Sequence, residues 1–376
     1  MEAPRTLVVT NDFPPRTGGI QQYVWNLVTR LPADGVAVLA PNWPGWQEHD
    51  ARQAFPIHRW PAEFLWPTPD LFRRVRALAA EHRADVVLFG HGYPTPLIGS
   101  PIRDAGWPYV VLTHGAEVWM ARVPAVAASL RWALAGARAV TAVSAYTRDR
   151  LRSSVPAAVP LELLVPGVDE TRFHPDVDGT AVRERYGLDG RPVVTCVSRL
   201  VPRKGQDVLI RAMPILRQLV PEASLLLVGE GPLGPSLRSM AADEPPGAVT
   251  FAGELPDDDL PAAYAAGTAF AMPCRSRWAG LEVEGFGIVF LEAAAAGRPA
   301  VAGRSGGAAE AVVDEETGLL VEGAEPKAVA LALRALLRED GPGAAMGAAG
   351  RARVERAFTW DRQAERLVRI LRAAAG

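Results

Sequence analysis

The chain has 376 residues, 40 of them basic and 42 acidic, for a formal charge of −2, and 49% of its residues are hydrophobic. That composition excludes a disordered chain, argues against nucleic acid as the main partner, and exceeds what one ordinary core needs, so two domains are expected. No apolar run approaches the length that crosses a bilayer and the start, MEAPRTLVVTNDFPP, has no signal-peptide core, so a cytoplasmic location is expected.

Two further features of composition bear on chemistry. Cys196 and Cys274 stand far apart with no CxxC and no neighbouring His cluster, which predicts neither a disulfide framework nor a zinc site. Through Val168 there are 16 basic and 13 acidic residues, a balance of +3, and the remainder balances at −5. Lysine occurs only twice, at Lys204 and Lys327, in a chain that otherwise uses arginine, so each lysine draws notice.

In chain order, Thr6 to Thr10 reads as a strand, Asn11 to Gly19 as a loop and Ile20 to Leu31 as an amphipathic helix, the opening of a parallel α/β domain. Gly18 and Gly19 at the helix start let backbone approach a phosphate, or form a plain tight turn. The loop is not GxGxxG, so no nicotinamide or flavin fingerprint is present. Strands are expected at 36–40, 85–89, 109–113 and 139–143, giving a doubly wound sheet. Asn11-Asp12, His91, His114-Gly115-Ala116-Glu117 and Ser144 fall at strand C-termini, where such sheets bind ligands. His114, followed by glycine, is placed to face a cleft; a packed structural histidine is the other reading.

From Trp60 to Arg83 the chain pairs Phe64-Leu65-Trp66 with a helix that interleaves Arg73, Arg74 and Arg76 with Leu71, Phe72, Val75 and Leu78. Two readings stand: a helix on an anionic membrane surface, or a packed helix with a solvated arginine face. Leu163 to Asp169 ends the first domain, and the segment through Phe173-His174-Pro175 reads as a hinge. A second strand series follows at 192–198, 224–228, 249–252, 268–272 and 299–302, with a last helix from about Thr359 to Ala375 expected to return to the first domain. The domains are thus 1–168 and 169–358, with 359–376 rejoining the first.

The chemistry-bearing residues concentrate in the second domain. Arg199 and Lys204 follow its first strand, a forked and a compact cation that suit a departing diphosphate, with a solvated surface basic loop as the other reading. Gly229 and Leu255 lie at the next two strand ends, where backbone contacts would wall a nucleoside pocket. Asp257-Asp258-Asp259 contains a DxD pattern, read here as a helix cap and first turn in preference to a metal site. Glu284 and Glu292 flank Gly285-Phe286-Gly287-Ile288-Val289, a turn entering an alanine-rich helix. The amides of Ile288 and Val289 suit a diphosphate, Glu284 a sugar, and Glu292, about one and a half turns in, a ribose. Two solvated glutamates on an ordinary helix start are the alternative. Gly306-Gly307 with Glu310 mark another turn with no assigned role.

Together RxxxxK at Arg199 and Lys204, E-x7-E at Glu284 and Glu292 around GFGIV, Gly18-Gly19 and His114-Gly115 resemble glycosyltransferase family 4, retaining enzymes of GT-B fold, over essentially the whole chain. NDFPPRTGGIQ, SRLVPRKGQD and MPCRSR followed by EGFGIVFLEA are similar to actinobacterial phosphatidylinositol mannoside mannosyltransferases. The resemblance implies two Rossmann-like domains facing across a cleft, with a nucleotide-sugar donor, GDP-mannose, held by the C-terminal domain. It places a lipid or small-molecule acceptor in the N-terminal domain and implies no obligatory metal. It further implies that Arg199 and Lys204 stabilise the leaving phosphate, Glu284 positions the sugar, Glu292 holds the ribose and His114 supports the sugar as charge develops. A phosphoinositide-type acceptor would bring the enzyme to the inner membrane face. Another sugar with a soluble acceptor, a nucleotide-sugar epimerase and a non-catalytic binder are the rival readings.

Overall fold

The computed structural model describes residues 3–376. They form two compact units, one of residues up to Gly167 plus Trp360–Gly376, the other Val168–Thr359.

The first unit is a seven-stranded parallel sheet of β1 (Thr6–Val9), β2 (Val36–Pro41), β3 (Ile57–Trp60), β4 (Val86–Phe89), β5 (Tyr109–Thr113), β6 (Ala139–Ala142) and β7 (Leu161–Leu163), ordered β3-β2-β1-β4-β5-β6-β7. Strand order reverses between β1 and β4, which opens a crevice at their C-terminal ends. β1, β2, β4, β5 and β6 are buried on both faces, and alternation divides them between two apolar layers. Leu7 and Val9 pack with Leu71, Val75 and Leu78 of helix Pro69–Glu81. Val8 packs on the other side with Val24 and Leu27 of helix Gly19–Val28 and with Leu367 and Leu371 of helix Trp360–Ala375. The last helix therefore completes the first unit, and Arg30 Nε bonds Asp361 Oδ1 at 2.6 Å beside it.

The second unit is a six-stranded parallel sheet of β8 (Val193–Val197), β9 (Ser224–Val228), β10 (Val249–Gly253), β11 (Ala269–Met272), β12 (Ala300–Gly303) and β13 (Gly318–Val321), ordered β10-β9-β8-β11-β12-β13. Here the order reverses between β8 and β11. Val168 N–H donates to Phe358 O at 2.8 Å, so the two ends of this unit lie side by side.

β3, β7 and β13 are absent from the sequence reading. Each is an edge strand of three or four residues and none is wholly buried; charged or polar residues interrupt the run in β3 and β7, whereas β13 is apolar throughout but short and half-buried at its centre. In the 60–83 stretch, Leu71, Val75, Leu78 and Ala79 are core, so the apolar stripe is accounted for by packing. Arg73, Arg74 and Arg76 are exposed, and Trp66 is 61% exposed. Among the described residues no helix is long and apolar enough to cross a membrane.

Candidate active site

In the second unit, the loop after β8 and the turn before helix Ile288–Ala295 meet. Lys204 ends a single 3-10 turn, Pro202–Lys204, and is only 9% exposed. Its Nζ donates to Glu284 Oε2 at 2.7 Å, with Arg203 Nε a further 3.9 Å from the same oxygen. Burial opposes ionisation of Glu284, but Lys204, Arg203 and the Gly285 amide outweigh it and hold the carboxyl below its ordinary range. Sequence reasoning gave Lys204 and Glu284 separate partners; the structure joins them. Arg199 sits at the end of β8 with its side chain exposed, and no described residue takes its guanidinium. Its carbonyl and Ser198 Oγ both accept from Gln206 Nε2, at 3.0 and 2.8 Å, which braces the loop from the next helix.

The backbone of Glu284 is held by a second turn that the sequence left without a role. Ser305 Oγ accepts from Glu284 N–H at 3.3 Å and Gly307 N–H donates to Glu284 O at 2.9 Å. Between them Gly306 has φ +55, and a Cβ there would lie 2.0 Å from Glu284 O. Gly285 follows, Phe286 is buried against Phe358 with ring centroids 5.9 Å apart, and Gly287, at φ +91, turns the chain into the helix. No side chain caps that helix, so the first-turn amides of Ile288 and Val289 stay available as donors.

Glu292 is half-buried and accepts from Tyr264 Oη at 2.5 Å. Burial raises its pKa, with the Tyr264 hydrogen bond and the Arg172 charge opposing, while Tyr264 is itself pushed well above its usual value by burial and by Glu292. The Tyr264 ring is fixed by Phe173 and Phe270, each 5.6 Å away between centroids. Nothing in the amphipathic pattern around Tyr264 distinguished it. Gly229 N–H donates to Gly253 O at 2.7 Å and Leu255 is buried, so both are fixed at strand ends. The aspartates sit where a cap and first turn were expected: Asp257–Asp259 form a 3-10 turn and Asp259 is the N-cap residue of helix Leu260–Ala266, but its side chain makes no cap bond, and Asp257 Oδ2 pairs with Arg172 Nη1 at 2.8 Å.

In the first unit, Asp12, His91 and Glu117 lie near His114 and Asn11 bonds His91, whereas Ser144 caps helix Ala145–Leu151 by accepting from Thr147 N–H at 3.1 Å. His114 Nε2 lies 2.8 Å from Gly90 O, a contact that puts the proton on Nε2 and leaves Nδ1 as the free lone pair. Tyr23 packs edge-on against the ring at 5.1 Å and bonds Leu164 O through its hydroxyl at 2.7 Å. Buried Glu117 accepts from the amides of Gly92, His114 and Gly115 at 3.1, 3.0 and 3.0 Å, so one carboxylate sets the turn that carries His114. Burial raises the Asp12 pKa against the lowering charges of His114 and Arg16. Gly18 caps helix Gly19–Val28 without a side chain, and a Cβ on it would strike Gln21, whereas one on Gly19 would meet open space.

Two doubly wound parallel sheets, one carrying cations and carboxylates at its strand ends, define the GT-B glycosyltransferase fold. Solved structures agree: the chain is similar to an Anabaena protein crystallised with UDP and glucose (TM-score 0.81, 20% identity, 98% of this chain and 99% of that one). It is also similar to sucrose-phosphate synthase from Thermosynechococcus elongatus (TM-score 0.78, 23% identity, 98% of each). Residues 17–172 match Glycosyltransferase Family 4 and residues 179–353 match Glycosyl transferases group 1.

Among curated proteins, the chain is 46% identical over 372 residues, 97% of each chain, to a GDP-mannose-dependent alpha-(1-6)-phosphatidylinositol monomannoside mannosyltransferase of Mycolicibacterium smegmatis. It is 41% identical, over 98% of each chain, to a GDP-mannose-dependent monoacylated alpha-(1-6)-phosphatidylinositol monomannoside mannosyltransferase of Corynebacterium glutamicum. The chain belongs to this family of glycosyltransferases.

Proposed function

We propose that the protein transfers mannose from GDP-mannose, with retention of anomeric configuration, to a phosphatidylinositol mannoside-type acceptor. The observation that carries this is 46% identity over 97% of both chains to a relative bearing that donor and acceptor in its name. Residues 168–359 take the donor and residues up to 167 the acceptor. Arg199, exposed and unengaged, receives the diphosphate together with Lys204, whose ammonium keeps two donors beyond its bond to Glu284. As the sugar–phosphate bond breaks, negative charge grows on the leaving oxygen, and these two cations stabilise it more than the ground state. A leaving-phosphate oxygen takes the acceptor's proton, so no protein carboxylate becomes a nucleophile. Glu284 accepts from donor-sugar hydroxyls, Glu292 from the ribose, and His114 supports the sugar as positive charge develops at its anomeric carbon. No metal is required, because the cations do its work.

The test is incubation of the protein with labelled GDP-mannose and phosphatidylinositol monomannoside: a product one mannose longer, with the α configuration, supports the reading. Conversion of the donor without acceptor would mean an epimerase, and donor binding without turnover on any acceptor a binder. A second reading has its own observation: the D-inositol 3-phosphate glycosyltransferase of Rhodococcus jostii is 38% identical over 57% of this chain. Transfer to a soluble inositol phosphate in place of lipid would favour it.

A further inference from the structure

On the first unit, the edge strand β3 and the C-terminal end of helix Pro69–Glu81 bring together three side chains that the transfer reaction does not use. His58 Nε2 and His82 Nε2 lie 2.7 Å apart, with ring centroids 4.9 Å apart and planes inclined at 58°. One ligand atom from each of His58, Glu81 and His82 falls within 4.8 Å of the other two. Two of the chain's six histidines are thus spent on each other. Without a ligand this is a poor use of them, since the pair makes a single N–H···N bond and fixes both tautomers.

We propose that His58, His82 and Glu81 bind a late first-row divalent cation, zinc suiting this ligand set best, and that the ion clamps β3 to the helix end. Imidazole and carboxylate are the ligands zinc takes, at bonds of about 2.0–2.1 Å, which in a tetrahedron separates donor atoms by about 3.4 Å. The two imidazoles therefore part by roughly 0.7 Å, a small torsional change for half-buried rings. Glu81 is exposed and free to close the third position, with water in the fourth. The His82 backbone is already anchored, because Arg5 Nε donates to His82 O at 2.8 Å.

One neighbour opposes the ion. Arg74 Nη2 is 3.5 Å from His58 Nδ1, and metal on Nε2 puts the ring proton on Nδ1, facing that guanidinium. Arg74 is exposed and must swing away, so it acts as a built-in competitor. The clamp has a structural purpose: β3 pairs with β2 alone and is nowhere fully buried.

The experiment uses tag-free, metal-stripped protein. Cobalt should give the visible absorption of a tetrahedral site, and zinc should bind at one equivalent and raise the melting temperature. His58→Gln and His82→Gln should each weaken binding at least tenfold while melting within a degree or two of the metal-free parent, Glu81→Gln should weaken it severalfold, and Arg74→Ala should tighten it. No tetrahedral cobalt spectrum in the parent protein, or unchanged affinity in both histidine variants, overturns the proposal. If either histidine variant fails to fold, Glu81→Gln and Arg74→Ala decide, and unchanged affinity in both overturns it equally.

Discussion

Lys204 and Glu284, eighty residues apart in sequence, are bonded at 2.7 Å with side chains 11% and 8% exposed. An ion pair this enclosed is worth little for stability as a whole, but removing one partner strands the other. Here either stranded group would belong to the site proposed for the donor.

Arg199→Ala and Lys204→Ala should each lower turnover on the order of a hundredfold, as loss of one transition-state charge contact does, with donor affinity falling less. Stability separates them. Arg199 has no described partner, so its loss should leave the melting temperature unchanged, whereas Lys204→Ala should cost on the order of 3 kcal/mol. Adding Glu284→Ala to Lys204→Ala should restore part of that stability and none of the activity. Near-normal rates in both single variants would remove the phosphate role.

Glu292 titrates in the opposite sense to Glu284. Its folded-state pKa is raised, so the protein is favoured below the carboxyl's ordinary value and loses that advantage as pH rises through the folded one. Glu292→Gln, which keeps an acceptor for Tyr264, should therefore melt higher than the parent at neutral pH, with the gain fading at pH below about 4.5. Donor affinity should drop about tenfold or more, the range for a hydrogen bond to a charged group. A variant that melts lower at pH 7 would contradict the sign.

Gly306→Ala tests the turn behind the motif. The new methyl would sit 2.0 Å from Glu284 O at a φ of +55, so the Glu284 backbone must move. Turnover should fall roughly tenfold or more for a displacement of this kind. An active variant with unchanged kinetics would show that the turn tolerates repacking.

EDTA should leave mannosyl transfer intact if, as proposed, Arg199 and Lys204 supply the positive charge; Asp257 is engaged with Arg172. Activity lost to the chelator and restored only by magnesium or manganese would overturn this. Zinc at His58 and His82 would register in melting temperature instead.

Changing Arg73, Arg74 and Arg76 together to Glu should abolish binding to anionic vesicles and lower activity on lipid acceptor while sparing donor affinity. If the helix meets an anionic surface, each exposed arginine would contribute about 1 kcal/mol there, less at high salt. The helix keeps its fold in the variant because Leu71, Val75 and Leu78 carry its packing. A parent protein that ignores anionic vesicles would redirect attention to a soluble acceptor.

What could be read in advance followed from continuity along the chain. The inner strands are short uninterrupted apolar runs, and Arg199, Lys204, Glu284 and Glu292 stand in compact motifs whose placement at a strand end or a helix start is visible in a few residues. What escaped depends on partners distant in sequence. Tyr264 lies in an ordinary helix 28 residues from the glutamate it bonds, and Ser305 and Gly307 hold Glu284 from 21 and 23 positions away. The half-buried β3 and β7 lack the alternation or the run length that periodicity detects. At the aspartates the position was legible and the bonding was not: Asp259 is the N-cap residue without a side-chain bond, and Asp257 pairs with an arginine 85 positions away.

The helix Trp360–Ala375 sets an order of assembly. A ribosome releases residues 168–359 as one uninterrupted stretch, able to close its sheet while the chain is still being made. The earlier-made unit lacks Trp360, Leu367 and Leu371 from one apolar layer until residues 360–376 have been added. The unit begun earlier is thus completed later, and a nascent chain stopped before Trp360 would carry a complete second unit and an open first one.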